Sequence, residues 1–260
     1  RLDFGYGLHS EGIRNLAALG VGLLLTVDCG IANIKEIQEA KALGMDVIVT
    51  DHHLPGQTLP EADIIINPKL DGWPSQELSG VGLSFLLMGA LNRLLPGPQA
   101  DIRDYLDLVA LGTIADVVPL DEQNRILVKN GLLLIEEGRR PGIQALKEIS
   151  GLGPDERVGA GTIGFALAPR INAAGRIGDP DLALRLLLEK DSETARSLAT
   201  QLDKLNAKRK LEEQRILEEA IAQAESQLHL PGFVLHSEHW HSGIIGIVAS
   251  RIVERFHRQC

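Results

Sequence analysis

The sequence predicts an α/β chain: a parallel sheet with helical additions, a long connecting helix, and the start of a second α/β unit. Three observations carry that expectation. Short apolar runs, VGLLLTV (21–27), MDVIVT (45–50) and ADIIIN (62–67), alternate with helical stretches of about a dozen residues, the pattern of parallel strands covered on both faces by crossover helices. After residue 67 the apolar spacing is helical almost throughout. From residue 192 to 228 neither Gly nor Pro interrupts a stretch with Leu198, Leu202, Leu205, Ile216, Leu217 and Ile221 at helical spacing.

The elements follow in order. Residues 11–19 read as a helix, 21–27 as a strand, 32–43 as a helix, and 45–50 and 62–67 as two further strands. Helical periodicity then covers 80–95, 102–118, 121–137 and 141–150, with LPGPQ (95–99) as a clear break. Residues 158–188 read as helical pieces around a Gly-bearing loop, PRINAAGR (169–176). The uninterrupted stretch would be a rod of roughly 55 Å at 1.5 Å per residue, and PGFVLHS (231–237) would be a strand feeding a helix after His241.

Composition bounds the function classes. The 260 residues are 44% hydrophobic and 23% charged, ordinary for a folded chain and long enough for two domains. No apolar run approaches the roughly 18 residues of a membrane span. RLDFGYGLHS lacks the pattern of a signal peptide. Cys29 and Cys260 form neither a CxxC pair nor a disulfide framework, so a cytoplasmic location is expected. The net charge of −9 disfavours whole-surface binding of nucleic acid but leaves room for a local basic groove beside an acidic metal site. The chain opens on Arg1 and stops at Cys260 straight after a helical segment, as a fragment of a longer protein would.

In parallel sheets, ligands gather beyond the carboxyl ends of the strands. There the first strand runs into Asp28-Cys29-Gly30 and the second into Asp51-His52-His53. Imidazole nitrogens and carboxylate oxygens together suit Mn²⁺, Fe or Zn²⁺. A single strand-end His would ordinarily be a hydrogen-bonded loop residue, but two after an Asp, opposite a second strand-end Asp, point to metal. Asp28 reads alternatively as the N-cap of the next helix. Asp116, in the apolar LGTIADVVPL, needs a partner if buried, or sits exposed at a helix end. Arg170, Asn172 and Arg176 stand among small residues that let a backbone approach an anion, or are surface residues of a tight loop. His241, Ser242 and Gly243 open a helix whose N-terminus could take an anion, or Ser242 is simply its cap. KLNAKRK (204–210) reads most simply as a solvated helix face.

TVDCG, VIVTDHH and GTIADVVPL, in that order, resemble the second, third and fourth motifs of the DHH phosphoesterase superfamily. With FGYGLHSEGI, ELSGVGLSFLL, PRINAAGR and WHSGIIGIVASR added, the resemblance extends to the family's single-strand-specific 5′→3′ DNA exonucleases and covers essentially the whole chain. It implies two-metal phosphodiester hydrolysis in DNA repair and recombination, with Mn²⁺ or Mg²⁺ as cofactor and two ions in the full-length enzyme. Asp28, His52 and Asp116 match metal ligands, Asp28 bridging the two ions. His53 matches a His that contacts the reacting phosphate or supports the ligands. Arg170, Asn172, Arg176, His241, Ser242 and Gly243 fall in motifs associated with substrate.

The domain order implied is a DHH domain over 1–190, a connector helix over 191–228 and the start of a DHH-associated domain over 229–260, with single-stranded DNA between the domains. A monomer is expected, acting on single-stranded DNA with a 5′ end beside a single-strand-binding protein and a helicase, and without a membrane. The family's first, Asp-x-Asp-type motif is absent, so these 260 residues alone are expected to be inactive. Two other readings stay open: a phosphohydrolase of short oligonucleotides or cyclic dinucleotides, which the long connector and PRINAAGR disfavour, and a catalytically silent replication scaffold, which the presence of Asp28, His52, His53 and Asp116 disfavours.

Overall fold

A computed structural model describes residues 7–70, 72–153 and 156–260; the opening of the FGYGLHSEGI motif lies outside them. Three parallel strands, β1 (Leu23–Val27), β2 (Asp46–Thr50) and β3 (Ile64–Ile66), form one sheet in the order β1-β2-β3. Leu23 pairs with Asp46 and Val27 with Thr50, while Ile48 pairs with Ile64. The helices are α1 (Ser10–Ala18), α2 (Ile34–Ala42), α3 (Gly80–Leu94), α4 (Leu106–Ala115), α5 (Glu122–Glu137), α6 (Pro141–Ile149), α7 (Ala160–Thr162), α8 (Ala168–Ile177), α9 (Pro180–Leu188), α10 (Ser192–Ser226) and α11 (Ser242–Phe256). A 3₁₀ turn (Ile102–Tyr105) precedes α4 and a π-helical turn (Ile163–Leu167) precedes α8. No helix among the described residues is long and apolar enough to cross a membrane.

The chain forms two compact units. The first, running to Arg139 and including Arg157–Gly164, holds the sheet. Leu24, Val47 and Val49 point into a core with Ile13 of α1, Ile37 and Ala40 of α2, and Met45. Coverage of both sheet faces, expected from the continuous apolar strands, does not hold for β1: Leu23, Leu25 and Val27 are 54%, 46% and 52% exposed. The physical reason is that α1 and α2 pack into one core on the same face. Beyond the sheet, α4 lies along α5 so closely that a Cβ on Gly131 would stand 2.0 Å from the Leu106 carbonyl oxygen.

The second unit comprises Arg140–Glu156 and Phe165–Cys260. Its spine is α10, a single helix of 35 residues capped by Asp191, whose carboxylate accepts from the Thr194 N–H. At its start, α10 buries Ala195, Leu198, Ala199 and Leu202 and pairs Arg196 with Glu148 of α6 and Asp203 with Arg170 of α8. At its far end, Ile216, Ala220 and Ala224 form a separate core with Phe233 and with Ile244, Val248 and Ile252 of α11.

Two sequence readings need correction here. PRINAAGR is helical rather than a loop: Pro169 stands in the first turn of α8, where its missing N–H costs nothing, and the Ala-rich run carries the helix on. PGFVLHS is not a strand. Its one ladder contact is an isolated parallel bridge between Gly232 and Gln259. The backbone is instead satisfied by two side-chain amides, from Gln223 of α10 and from Gln227, its C-cap. Gln227 donates to the Val234 carbonyl (3.0 Å) and accepts from its N–H (3.1 Å), and Gln223 does the same for His236 (2.9 and 3.0 Å).

Candidate active site

The two strand-end loops are built as a pair. The β1–β2 ladder runs one residue past β1, through Asp28 N–H to Thr50 O, and the β2–β3 ladder one past β2, through Asp51 N–H to Ile66 O. Beyond that point the chain turns sharply. Asp28 adopts a left-handed backbone (φ 64°), uncommon for any residue with a side chain. Gly30 (φ 115°) completes the turn where a Cβ would stand 2.8 Å from Thr26 Oγ1. The Thr26 hydroxyl donates to Cys29 O at 2.7 Å, and the Thr50 hydroxyl donates to Thr26 O at 2.7 Å, locking the turn to both strands.

Asp51 is 1% exposed and organises the second loop. One oxygen accepts from Ile31 N–H (2.9 Å), tying it to the β1 turn; the other accepts from His52 N–H (2.8 Å), His53 N–H (3.2 Å) and the His53 ring at Nδ1 (2.7 Å). Burial is the largest influence on this carboxyl and pushes its pKa up. The hydrogen bonds from Ile31 and His53, with the His53 charge, outweigh it and hold the pKa below the ordinary value. An ionised carboxylate only accepts, so His53 Nδ1 is the donor of this contact. Asn67, fully buried, fixes the same loop by donating to His53 O at 3.0 Å.

Asp116 arrives from another direction, at the C-terminal end of α4, with its N–H on Gly112 O. The next residue, Val117, is left-handed (φ 59°) and 85% exposed, an outlier for a β-branched side chain. The turn brings the Asp116 carboxylate to the His52 ring. His52 Nε2 lies 3.0 Å from Asp28 Oδ1 and 3.2 Å from Asp116 Oδ2. Asp28, His52 and His53 each place a ligand atom within 4.8 Å of the others. The close Asp28 oxygen is the largest influence on His52 and raises its pKa; burial opposes this, and the charges of Asp116, Asp28 and Asp51 add to the rise. Asp116 is also raised, first by burial and then by the Asp28 charge.

These distances are compatible with a shared metal ion. His52 Nε2 is buried without a hydrogen-bond partner, although two carboxylate oxygens stand beside it. An octahedral ion with bonds of about 2.1 Å sets neighbouring ligand atoms about 3.0 Å apart, the spacing observed from His52 to both acids. The donor set, imidazole plus carboxylates, suits Mn²⁺ and related divalent ions.

The second unit holds the other sequence-derived candidates. His241 rather than Ser242 is the N-cap of α11: its Nδ1 accepts from Gly243 N–H, and Ser242 is the first helical residue. Gly243 is pressed against α8, since a Cβ there would meet Arg176 O at 2.2 Å, and the Arg176 guanidinium donates to Gly243 O at 3.2 Å. Arg176, His241, Ser242 and Gly243 therefore share one place. Asn172 is exposed on α8. Arg170 is engaged within the fold, on Asp203 (2.8 Å) and Ala166 O (2.6 Å).

Residues 6–113 match the DHH family, N-terminal domain. Over 99% of its length it is 48% identical to the single-stranded-DNA-specific exonuclease RecJ of Salmonella typhimurium, and over 98% it is 42% identical to that of Thermus thermophilus. It spans 48% and 37% of those proteins, about half or less of their length. Among solved structures it superposes on exonuclease RecJ bound to manganese with a TM-score of 0.87 at 40% identity, covering 99% of this chain and 64% of the other. The Mn²⁺ complex of RecJ from Thermus thermophilus gives 0.84 at 40% identity, covering 96% and 37%.

Within the DHH triplet of this chain, the sequence directs attention to the two His and passes over the Asp. The buried hydrogen bonds of Asp51 make it the residue that orients both. The N-cap alternative for Asp28 does not hold, because Asn33 occupies that position before α2. The KLNAKRK segment is only partly a solvated face: Asn206 and Glu213 are buried, and Arg209 binds both, at 2.7 and 2.6 Å.

Proposed function

We propose that this chain is the metal-binding part of a single-stranded-DNA-specific 5′→3′ exonuclease acting in repair and recombination. The observation that carries the reading is the buried, hydrogen-bond-free Nε2 of His52 between Asp28 and Asp116, in a chain resembling RecJ exonucleases along its whole length. Asp28, His52 and Asp116 would hold a divalent ion, Mn²⁺ or Mg²⁺, and the longer protein would use two such ions. When bound, such ions stabilise charge on the phosphodiester and activate water.

The protein's own groups do the rest. Asp51 holds the His53 ring at Nδ1, and His53 contacts the reacting phosphate or supports the ligands. Asp116 and Asp28 keep the site anionic and select a divalent cation. Arg176 and the N-terminus of α11, with Ser242 in its first turn, bind phosphate through a guanidinium and the positive end of the helix. Asn172 adds a polar contact on the same helix, and Arg170 fixes that helix to α10. Phosphate contacts of this kind read no base sequence.

The same reading takes 1–190 as the DHH domain, 191–228 as the connector and 229–260 as the start of a DHH-associated domain; support comes from the separate core that 229–260 builds on the far end of α10. It also takes the protein to be cytoplasmic and monomeric, working beside a single-strand-binding protein and a helicase. The test is a digestion assay on the intact protein that contains this chain, with 5′-labelled single strands, duplexes and dinucleotides in millimolar Mn²⁺. Stepwise digestion of long single strands from the 5′ end is expected. Preference for dinucleotides, or for duplex, would overturn the proposal.

A further inference from the structure

We propose that the Ser79-Gly80-Val81 turn opening α3 is a spacer that fixes the separation of the Asp28 and Asp116 carboxylates, and that Gly80 is a positioning residue for metal binding. The inference rests on reading this cluster as a metal centre. It comes from three tight contacts. A Cβ on Gly80 would lie 2.5 Å from Asp28 Oδ1, 2.7 Å from its Cγ and 2.8 Å from its Cβ. Rotating the carboxylate would not relieve the last of these, so the whole Asp28 side chain is butted against the backbone of residue 80. On the opposite side Val81 presses on α4, where a Cβ on Gly112 would lie 2.7 Å from Val81 Cγ1. Between them the buried Ser79 hydroxyl, 2.9 Å from the Thr113 hydroxyl, ties the turn to the last turn of α4, whose end carries Asp116.

The turn therefore touches the Asp28 side chain on one side and the Asp116 helix on the other. A methyl group at residue 80 has two outcomes: Asp28 is displaced from His52, or α3 is driven against α4 and carries Asp116 away. Neither leaves the 3.0 and 3.2 Å spacings intact. Gly80 does not have a positive φ and is the first residue of α3, where Ala is at least as good a helix former. Space for Asp28, rather than backbone freedom, is what excludes a side chain here.

The test measures Mn²⁺ binding to the intact protein by titration calorimetry and electron paramagnetic resonance, with circular dichroism as the check on folding. Gly80→Ala is expected to weaken Mn²⁺ roughly tenfold or more, the range seen when supports of metal ligands are lost. Single-strand binding should be unchanged, and hydrolysis should return in part at high Mn²⁺. Gly89→Ala, on the same helix but facing the Ile102 side chain, should bind Mn²⁺ like the parent. Val81→Ala, which adds no atom and only slackens the contact with α4, should weaken Mn²⁺ severalfold even if Gly80→Ala does not fold. Parent-like Mn²⁺ affinity in folded Gly80→Ala, or in Val81→Ala, overturns the spacer role alone. A parent protein that binds no Mn²⁺ overturns the metal reading beneath it.

Discussion

At the scale of single residues, the site depends on groups that do not themselves face the substrate. Asp51 puts four hydrogen bonds on two oxygens. Asp51→Asn preserves its size but turns one acceptor into a donor facing N–H groups, an unmet pairing worth about 1–3 kcal/mol in a buried setting. The expected result is a folded protein with Mn²⁺ affinity lowered roughly 10- to 100-fold, read by calorimetry; an unchanged affinity would remove Asp51 from the support of the site. Proton competition gives a second expectation. A metal needs neutral His52, and the raised pKa of His52 keeps its proton on above the usual range of about 6.5. Mn²⁺ binding should therefore release more protons near neutral pH than it would from an unperturbed His, and should strengthen as pH rises. Calorimetry in buffers of different ionisation enthalpy reads this directly. In the metal-free protein the sign for stability is opposite: the His52 contribution is full below the unfolded pKa and fades as pH climbs through the folded one.

Asp28→Ala and Arg176→Ala separate chemistry from binding. Losing Asp28 should abolish hydrolysis and leave single-strand affinity largely intact, while losing Arg176 should weaken binding and flatten its salt dependence. Equal losses of binding in both would contradict the division of roles. Residue chemistry explains how much of this site could be read beforehand. Strand ends mark Asp28 and His52, and an acid in an apolar run marks Asp116. Asp51 is passed over because its role rests on hydrogen bonds that no spacing reveals, and Gly80 leaves no trace because exclusion of a methyl group across the fold has no sequence pattern.

At the scale of elements, periodicity located β1, β2, α5 and α10 to within a few residues, because each buries a regular stripe or run of apolar side chains. It failed where a neighbour decides the outcome. PRINAAGR carries Pro and Gly, turn residues by habit, yet lies in a helix because Pro169 falls in the first turn and Gly175 near the last. PGFVLHS has the composition of a strand but lacks a strand partner on one side. The contact of α4 with α5 gives an element-scale expectation. Gly131→Ala would drive a methyl group into the Leu106 carbonyl and the Ala110 side chain, an overpacking cost of about 1–3 kcal/mol. A lowered thermal midpoint is expected together with weaker Mn²⁺ binding, since α4 carries Asp116. A thermal midpoint equal to the parent's would show that the two helices separate freely.

At the scale of the whole molecule, an acidic chain gathers Asp28, His52 and Asp116 by local geometry rather than by net charge, and has Arg176 and the start of α11 in the other compact unit. The glutamine pair at the end of α10, Gln223 in its last turn and Gln227 at its cap, has a consequence for how that unit meets other chains. Extended backbone with open N–H and C=O groups is a template on which strands of other molecules add. Along 234–236 one flank of that template is already filled by amides that offer the same donor and acceptor a strand would. The glutamines behave as a built-in blocker, a two-rung imitation of the missing neighbour. Replacing both with Ala should uncover the flank while leaving the α10 backbone helical. Beside the exposed Val234 and Ile245, 79% and 45% accessible, the bared edge should pair with its counterpart in another copy, so light scattering should report association at concentrations where the parent shows none. A double variant as dispersed as the parent would mean that the two amides guard nothing.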